Sequence, residues 1–217
     1  MNPEKARFNM LEQQIRPWRV VDADVLGLLS LVKREEFVPA ERRAFAFADI
    51  QMPLGFGAAM LTPKVEAQIL QALKVRKNEK VLEVGTGSGY MAALLAAHAD
   101  HVWSVEIVPE LAAKARENLE RRHIANVSVE TGDGMTGLPA HGPFDVIVVS
   151  GGVSDVPKEL LAQLKVGGRL FAIVGTAPRM TAQVTTRATE DGFRSVGLFE
   201  TEAALLCNGS AKQGFVF

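Results

Sequence analysis

The sequence predicts an α/β fold with a mainly parallel, Rossmann-like sheet, and three observations support this prediction. Short aliphatic and β-branched strands alternate with helical segments through the middle of the 217-residue chain. The first of these strands runs into a glycine-rich turn, residues 81–90. The tail has strand-like segments without long helices between them. Alternation at this spacing favours right-handed βαβ crossovers and a sheet covered by helices on both faces.

Length and composition predict one domain made of a helical head and structured loop (1–62), a cofactor-binding core (63–176) and C-terminal strands (177–217). The formal net charge is −1 and no basic stripe stands out, so nucleic acid is not an expected partner. The single cysteine, Cys207, excludes an internal disulfide and favours a reducing compartment. The polar N-terminus and the absence of an apolar run of ~20 residues favour a cytoplasmic protein that does not contact membranes.

The head is predicted to be helical over residues 4–34, with a break at Arg16-Pro17-Trp18 and a second helix capped by Asp22. Residues 37–62 lose the helical periodicity and gather prolines and glycines. This pattern indicates a long structured loop, and loops of this length are more often functional than not. Pro63 suits the first position of a helix that runs to about Leu73.

The core is predicted to alternate strand and helix, and the tail to add antiparallel strands. The predicted core strands are Lys80–Val84, His101–Glu106, Asn126–Glu130, Phe144–Val149 and Arg169–Val174. The predicted core helices are about Gly89–Ala99, Pro109–His123 and Pro157–Leu164. The predicted tail strands are Ala182–Thr189, Val196–Thr201 and Phe215–Phe217.

Acidic side chains and a glycine turn follow neighbouring strands of the predicted sheet. The turn from Gly85 to Gly89 ends the first core strand, where open parallel sheets bind ligands. Glu106 ends the second strand and could accept hydrogen bonds from both hydroxyls of a ribose. Asp133 follows the third strand and could meet an adenine amino group, and Glu83 could face a cationic amino group. Each feature alone fits a turn or a helix end, but their order along one sheet edge favours an adenosine-containing cofactor.

The glycine spacing distinguishes between cofactors. A dinucleotide fingerprint is G-x-G-x-x-G, and the helix after it holds a pyrophosphate. Here the third glycine comes one residue early, and Glu83 would repel a pyrophosphate but suit a zwitterionic amino acid. S-adenosylmethionine has a ribose, an adenine, an amino-acid moiety and no phosphate, so it fits all three acidic positions.

The chain resembles the protein-L-isoaspartate O-methyltransferase family over roughly residues 10–176. The matching segments are Arg34–Pro39, Ala48–Gly55, Val81–Tyr90, Val105-Glu106, Gly132–Gly134, Pro143–Val148 and Leu164–Gly175. The resemblance implies a class I methyltransferase fold, with S-adenosylmethionine as cofactor and S-adenosylhomocysteine as product. The acceptor it implies is an isoaspartyl carboxylate in a damaged protein or peptide. It also implies cofactor contacts at Glu83, Gly85, Thr86, Gly87, Ser88, Gly89, Glu106, Ile107, Asp133 and Gly134.

The departures from the family pattern lie on the acceptor side. The family's Gly-Gln-Thr-Ile-Ser-x-Pro stretch is Gly57–Pro63 here, with Ala59 at the threonine position and Leu61 at the serine position. Thr62 supplies a hydroxyl one residue late and is the candidate catalytic residue, although neighbouring residues of an extended loop point to different sides. The family's Thr-Ala-Ala after the fourth strand is Ser150-Gly151-Gly152 here. Residues Ala203–Leu206 stand near the place of the family's Arg-Phe-Val-Pro-Leu-like strand and lack its arginine and proline.

Two alternatives therefore stay open beside an isoaspartyl methyltransferase. The chain could be a family paralogue that methylates a different acceptor, such as a small molecule, or a protein that binds S-adenosylmethionine without catalysis. No metal site is expected, because the four histidines and the cysteine lack ligand spacing. The sequence makes no prediction about oligomeric state.

Overall fold

A helical head opens the structure, a computed structural model that describes residues 2–209. Helix α1 (Pro3–Met10) continues through a π-helical turn (Leu11–Ile15), and α2 (Ala23–Leu31) follows. The predicted break is a short 3₁₀ turn, Arg16–Trp18. The predicted cap is confirmed, since the Asp22 carboxylate accepts hydrogen bonds from the first backbone N–H groups of α2.

The predicted long loop contains a β-hairpin that the sequence did not reveal. Strands β1 (Met52–Gly55) and β2 (Ala58–Met60) pair antiparallel, after 3₁₀ turns at Arg34–Glu36 and Ala40–Phe45. The strands have four and three residues, which is too short for a period-two pattern to emerge. Helix α3 (Pro63–Leu73) then begins and ends at the predicted residues.

A seven-stranded sheet forms the centre of the fold. Its strands are β3 (Lys80–Val84), β4 (His101–Glu106), β5 (Val127–Thr131), β6 (Phe144–Val153), β7 (Leu164–Thr176), β8 (Arg179–Arg187) and β9 (Phe193–Glu200). Their spatial order is β5-β4-β3-β6-β7-β8-β9. The pairs from β5 to β7 are parallel, and β7-β8-β9 are antiparallel, as predicted. The predicted strand at Phe215–Phe217 lies outside the described residues.

The remaining helices connect the parallel strands and are shorter than predicted. They are α4 (Tyr90–Ala96), α5 (Pro109–Arg121) and α6 (Lys158–Ala162). Leu164, predicted as the end of the last helix, instead begins β7 and pairs with Phe144. No helix within residues 2–209 is long and apolar enough to cross a membrane.

The central strands of the sheet are buried on both faces, and the topology of the sheet locates a crevice. Successive residues of β3 enter opposite cores: Val81 packs with α3 and α4, and Leu82 packs with α6. From β3 the chain moves outward to β4 and β5, and then returns to β6 on the other side of β3. The connection thus changes direction between β3 and β6, and ligands of open α/β sheets bind at the carboxyl ends of strands at such a point.

Candidate functional site

The turn after β3 presents backbone toward the crevice. Gly85, Gly87 and Gly89 adopt left-handed φ values of 90°, 53° and 83°. The N–H groups of Gly85 and Thr86 donate to the carbonyl oxygen of Val105 at 2.9 and 3.3 Å, which ties the turn to β4. Gly89 begins α4 and packs on α5, where an added Cβ would lie 3.4 Å from Ala115.

Glu106 at the end of β4 is fixed by backbone donors. Its Oε2 accepts a hydrogen bond from the N–H of Gly87 at 2.7 Å, and its Oε1 accepts one from the N–H of Val108 at 3.0 Å. The residue is 5% exposed. An ionised carboxylate has about four acceptor positions, so two remain for a ligand.

Asp133 occupies the turn after β5 and is held in a similar way. Its Oδ1 accepts from the N–H of Met135 at 2.9 Å, and its Oδ2 accepts from the side-chain amide of Asn208 at 3.0 Å. The turn lies against β3, because a Cβ on Gly134 would be 2.6 Å from Cγ1 of Val84. The strand order β5-β4-β3 therefore places three features side by side at one edge: Asp133, Glu106 and the turn after β3.

Glu83 is fully buried at the end of β3 and accepts two hydroxyl hydrogen bonds. Ser104 donates to Oε2 at 2.6 Å, and Ser150 donates to Oε1 at 2.9 Å. Burial raises the pKa of Glu83 to about 8, although both hydroxyls act in the opposite direction. Ser104 also contacts the hydroxyl of Thr86 at 2.5 Å. The sequence analysis missed Ser104, whose signal is a polar residue inside an otherwise apolar buried strand.

Two adjoining cavities lie along this edge of the sheet. The larger, of about 230 Å³, is lined by Glu106, Ile107, Asp133 and Gly134 together with the hairpin and residues 204–207. The smaller, of about 30 Å³, is lined by Glu83, Thr86, Ser88, Glu66, Leu61 and Tyr90 among others. Both are lined by Ala59, Gly85, Gly87 and Ser150. The ten predicted cofactor residues thus line one cavity or the other, except Gly89.

The consecutive residues Ala59, Met60 and Leu61 all line the smaller cavity, so the loop does not alternate there as expected. Thr62, in contrast, lines neither cavity. Thr62 is the N-cap residue of α3, and its buried hydroxyl has no hydrogen-bond partner among residues 2–209. The structure therefore does not bring the candidate catalytic hydroxyl into the site, and its role stays a prediction.

A buried ion pair supports the loop that carries Leu61. Arg34 is 2% exposed and is paired with Glu66 of α3. It also donates to the carbonyl oxygens of Ala46 at 3.1 Å and Leu61 at 2.8 Å. Burial raises the pKa of Glu66 to about 7, although Arg34 acts to lower it.

Sequence reasoning missed several cavity residues that come from distant parts of the chain. Phe56, at the tip of the hairpin, is 62% exposed with a φ of 54°, which is unusual for a bulky residue. Leu205, Leu206 and Cys207 reach the larger cavity from the C-terminal segment. Their only sequence signal was the departure of the tail from the family pattern.

Comparison with known proteins gives consistent results. The family model described as "Protein-L-isoaspartate(D-aspartate) O-methyltransferase" matches residues 5–199. A protein-L-isoaspartate O-methyltransferase of Myxococcus xanthus is 47% identical over 156 residues, which is 72% of this chain and 74% of that protein. Protein-L-isoaspartate O-methyltransferase 1 of an Anaeromyxobacter species is 43% identical over 189 residues, 87% of this chain and 88% of that protein.

Solved structures agree with the sequence relatives. A protein-L-isoaspartate O-methyltransferase superposes with a TM-score of 0.82 at 26% identity, covering 94% of this chain and 67% of that chain. A Plasmodium falciparum protein crystallised with S-adenosyl-L-homocysteine superposes with a TM-score of 0.79 at 19% identity, covering 94% of this chain and 97% of that chain. The second likeness concerns the fold alone.

Proposed function

The chain belongs to the protein-L-isoaspartate O-methyltransferase family, whose members depend on S-adenosylmethionine, and from this premise we propose how its residues carry out methyl transfer. The proposed acceptor is the carboxylate of an isoaspartyl residue in a damaged protein or peptide. The bound cofactor supplies an electrophilic methyl group on a sulfonium centre. The protein must hold that centre and the acceptor close together, in line and away from water.

One observation carries the proposal: three carboxylates follow the strand order along one edge of the sheet. Asp133, Glu106 and Glu83 stand at the ends of β5, β4 and β3. We assign Asp133 to the adenine amino group, Glu106 to the ribose hydroxyls and Glu83 to the amino group of the methionine moiety. The donor and acceptor chemistry of each residue fits that part of the cofactor.

The glycine turn supports the same assignment. Gly85 and Gly87 line both cavities, so backbone rather than side chain faces the ligand between Glu106 and Glu83. Thr86 and Ser88 line the smaller cavity beside Glu83, where the amino-acid end is placed in this proposal. Ile107 and Gly134 contribute wall on the adenosine side, and Gly89 supports the turn by its packing on α5.

The acceptor needs little chemical help from the protein. A carboxylate is ionised at neutral pH, so no general base has to remove a proton before it attacks the methyl group. Ser150, Ala59 and Leu61 border the region where the two cavities adjoin, and we propose that the acceptor approaches there. The aliphatic side chains at this place exclude water, which strengthens the electrostatic interactions that remain.

The decisive experiment uses labelled S-adenosylmethionine with an isoaspartyl peptide and its aspartyl twin. Label transfer to the isoaspartyl peptide alone supports the proposal. Transfer to neither peptide, with S-adenosylhomocysteine still raising the melting temperature by mass action, would leave cofactor binding intact and refute the acceptor. Stabilisation by NAD but not by S-adenosylhomocysteine would refute the cofactor assignment as well.

A further inference from the structure

The C-terminal segment 203–209, here called the strap, lies beside the carboxyl end of β6, where Leu205 forms a parallel bridge with Gly152. Gly152 donates to the carbonyl oxygen of Ala204 at 2.8 Å and accepts from the N–H of Leu206 at 2.9 Å. Ser154 donates to the carbonyl oxygen of Gly209 at 2.7 Å. A third connection reaches the head, where the amide oxygen of Gln51 accepts from the N–H of Ala204 at 3.0 Å. The strap is thus fixed in place at three points.

This attachment directs the Leu206 side chain between two glycines. An added Cβ on Gly151 would lie 2.5 Å from Cδ2 of Leu206, and one on Gly85 would lie 3.0 Å from the same atom. Real Cβ atoms essentially never make contacts under 3.0 Å, so alanine at position 151 requires the Leu206 side chain to shift. Leu206 therefore occupies space that exists only because residue 151 has no side chain.

The pair stands at the point where the chain reverses direction, between β3 and β6. Gly85 follows β3, and Gly151 lies within β6 directly after Ser150. In the proposed binding mode the adenine lies toward β5 and the ribose toward β4, so the reacting end of the cofactor lies toward β3 and β6. Leu206 lines the larger cavity at that end.

We propose that Leu206 and Gly151 form a size-matched pair, in which the large side chain fills the space left by the missing one, and that this pair sets the width of the acceptor site. Leu206 then selects acceptors with a small side chain beside the isoaspartyl residue. This inference rests on the proposed function. An aliphatic side chain beside the methyl centre offers no hydrogen bond, so it discriminates by shape. Shape differences of a methylene or more in such pockets change kcat/KM by about tenfold to two-hundredfold.

The test compares two isoaspartyl peptides, one with glycine and one with phenylalanine after the isoaspartyl residue. The wild-type protein is expected to prefer the glycine peptide. Leu206→Ala should lower the ratio of the two kcat/KM values about tenfold. Leu206 also lines the cavity assigned to adenosine, but any change in cofactor affinity affects both peptides equally and cancels in the ratio. Leu198→Ala is the matched control, an exposed leucine of β9 outside both cavities, and should leave the ratio unchanged.

A second measurement tests the pair without using activity. Gly151→Ala should lower the melting temperature by several degrees, because Leu206 or the strap must shift. In a protein that already carries Leu206→Ala, the same substitution should lower the melting temperature by less than half as much. Equal costs in both backgrounds would refute the size-matched pair. If the cost of Gly151→Ala does fall in the Leu206→Ala background, but the peptide ratio is unchanged in Leu206→Ala, the specificity role is refuted. Absence of methyl transfer to either peptide would also refute the specificity role, and it alone would count against the proposed function.

Discussion

The donor half and the acceptor half of the site are built in different ways. The donor half consists of the turns and strand ends after β3, β4 and β5, where backbone N–H groups hold Glu106 and one oxygen of Asp133, and hydroxyls hold Glu83. The acceptor half consists of the hairpin, residues 150–152 and the strap, which side-chain packing and a few long-range bonds bring together. Two bonds link the halves, since Ser150 donates to Glu83 and Asn208 donates to Asp133. Changes at Ala59 and Leu61 leave both bonds in place, so the fold can keep one cofactor while this part of the acceptor half changes.

The largest expected effect comes from the support of the acceptor half. Arg34→Met should lower the free energy of unfolding by about 3–5 kcal/mol, because it leaves the buried Glu66 without its partner and frees the carbonyl oxygens of Ala46 and Leu61. Urea denaturation measures this loss. Arg16→Met is the matched control: its exposed pair with Glu12 should contribute less than about 1 kcal/mol. Equal small losses in both variants would contradict this account of the acceptor half.

In the donor half the largest effect should fall on cofactor affinity. Glu106→Ala removes a charged acceptor from the ribose hydroxyls, and losing hydrogen bonding to a charged group costs about 1.5–3 kcal/mol. The dissociation constant for S-adenosylhomocysteine should therefore rise roughly tenfold to a hundredfold in a calorimetric titration. Glu110→Ala, in the exposed first turn of α5, should leave it unchanged. A folded Glu106→Ala protein that binds S-adenosylhomocysteine with wild-type affinity would show that Glu106 does not bind the ribose.

The two halves also differ in how much of them the sequence could predict. Glu83, the glycine turn, Glu106 and Asp133 each follow a strand whose pattern is local, and the order of parallel strands brings them to one edge. The contact between Gln51 and Ala204 joins residues 153 positions apart, and no local pattern encodes it. Leu206 can be identified as a site residue only from its packing against Gly151 in the folded protein.

The elements of the fold also divide into those that a local sequence pattern predicts and those that depend on distant parts of the chain. Strands β3 and β4 and helix α3 were predicted to the residue, because their apolar periodicity and flanking turn residues are clear. The hairpin of β1 and β2 was missed, and the ends of β6 and β7 were placed too early. These extensions pair with neighbouring strands that the chain reaches later, so tertiary context rather than local propensity determines them.

Restoring the family residues of the acceptor half should raise activity. Leu61 places an aliphatic side chain at the family's serine position, and it lines the smaller cavity. We expect weak turnover of isoaspartyl peptide by the wild-type protein and about a tenfold increase in kcat/KM for the double variant Ala59→Thr, Leu61→Ser, since one added hydrogen bond contributes about 1 kcal/mol or more. A wild-type rate typical of the family would show that Leu61 does not limit the reaction.

The pH dependence of cofactor binding tests the role assigned to Glu83, the fully buried carboxyl group of the donor half. With a pKa of about 8, Glu83 carries a proton at pH 7 in the free protein, whereas a bound ammonium group favours the ionised form. Binding should then release a proton, and the affinity for S-adenosylhomocysteine should rise about fivefold from pH 7 to pH 8. Titrations across this range should be flat for Glu83→Gln. A wild-type affinity that falls with pH would contradict the assigned partner.

The smallest effect is expected at Thr62, the candidate catalytic residue. Its hydroxyl is buried without a hydrogen-bond partner among residues 2–209, and it lines neither cavity. Thr62→Val removes an unsatisfied polar group and keeps the shape, so the free energy of unfolding should stay equal or rise slightly. We expect kcat/KM for the isoaspartyl peptide to change less than about twofold, because geometry rather than general-base chemistry limits attack by an ionised carboxylate. A loss of a hundredfold at unchanged cofactor affinity would instead establish the catalytic role, and would require Thr62 to reach the acceptor by a movement of the loop before α3.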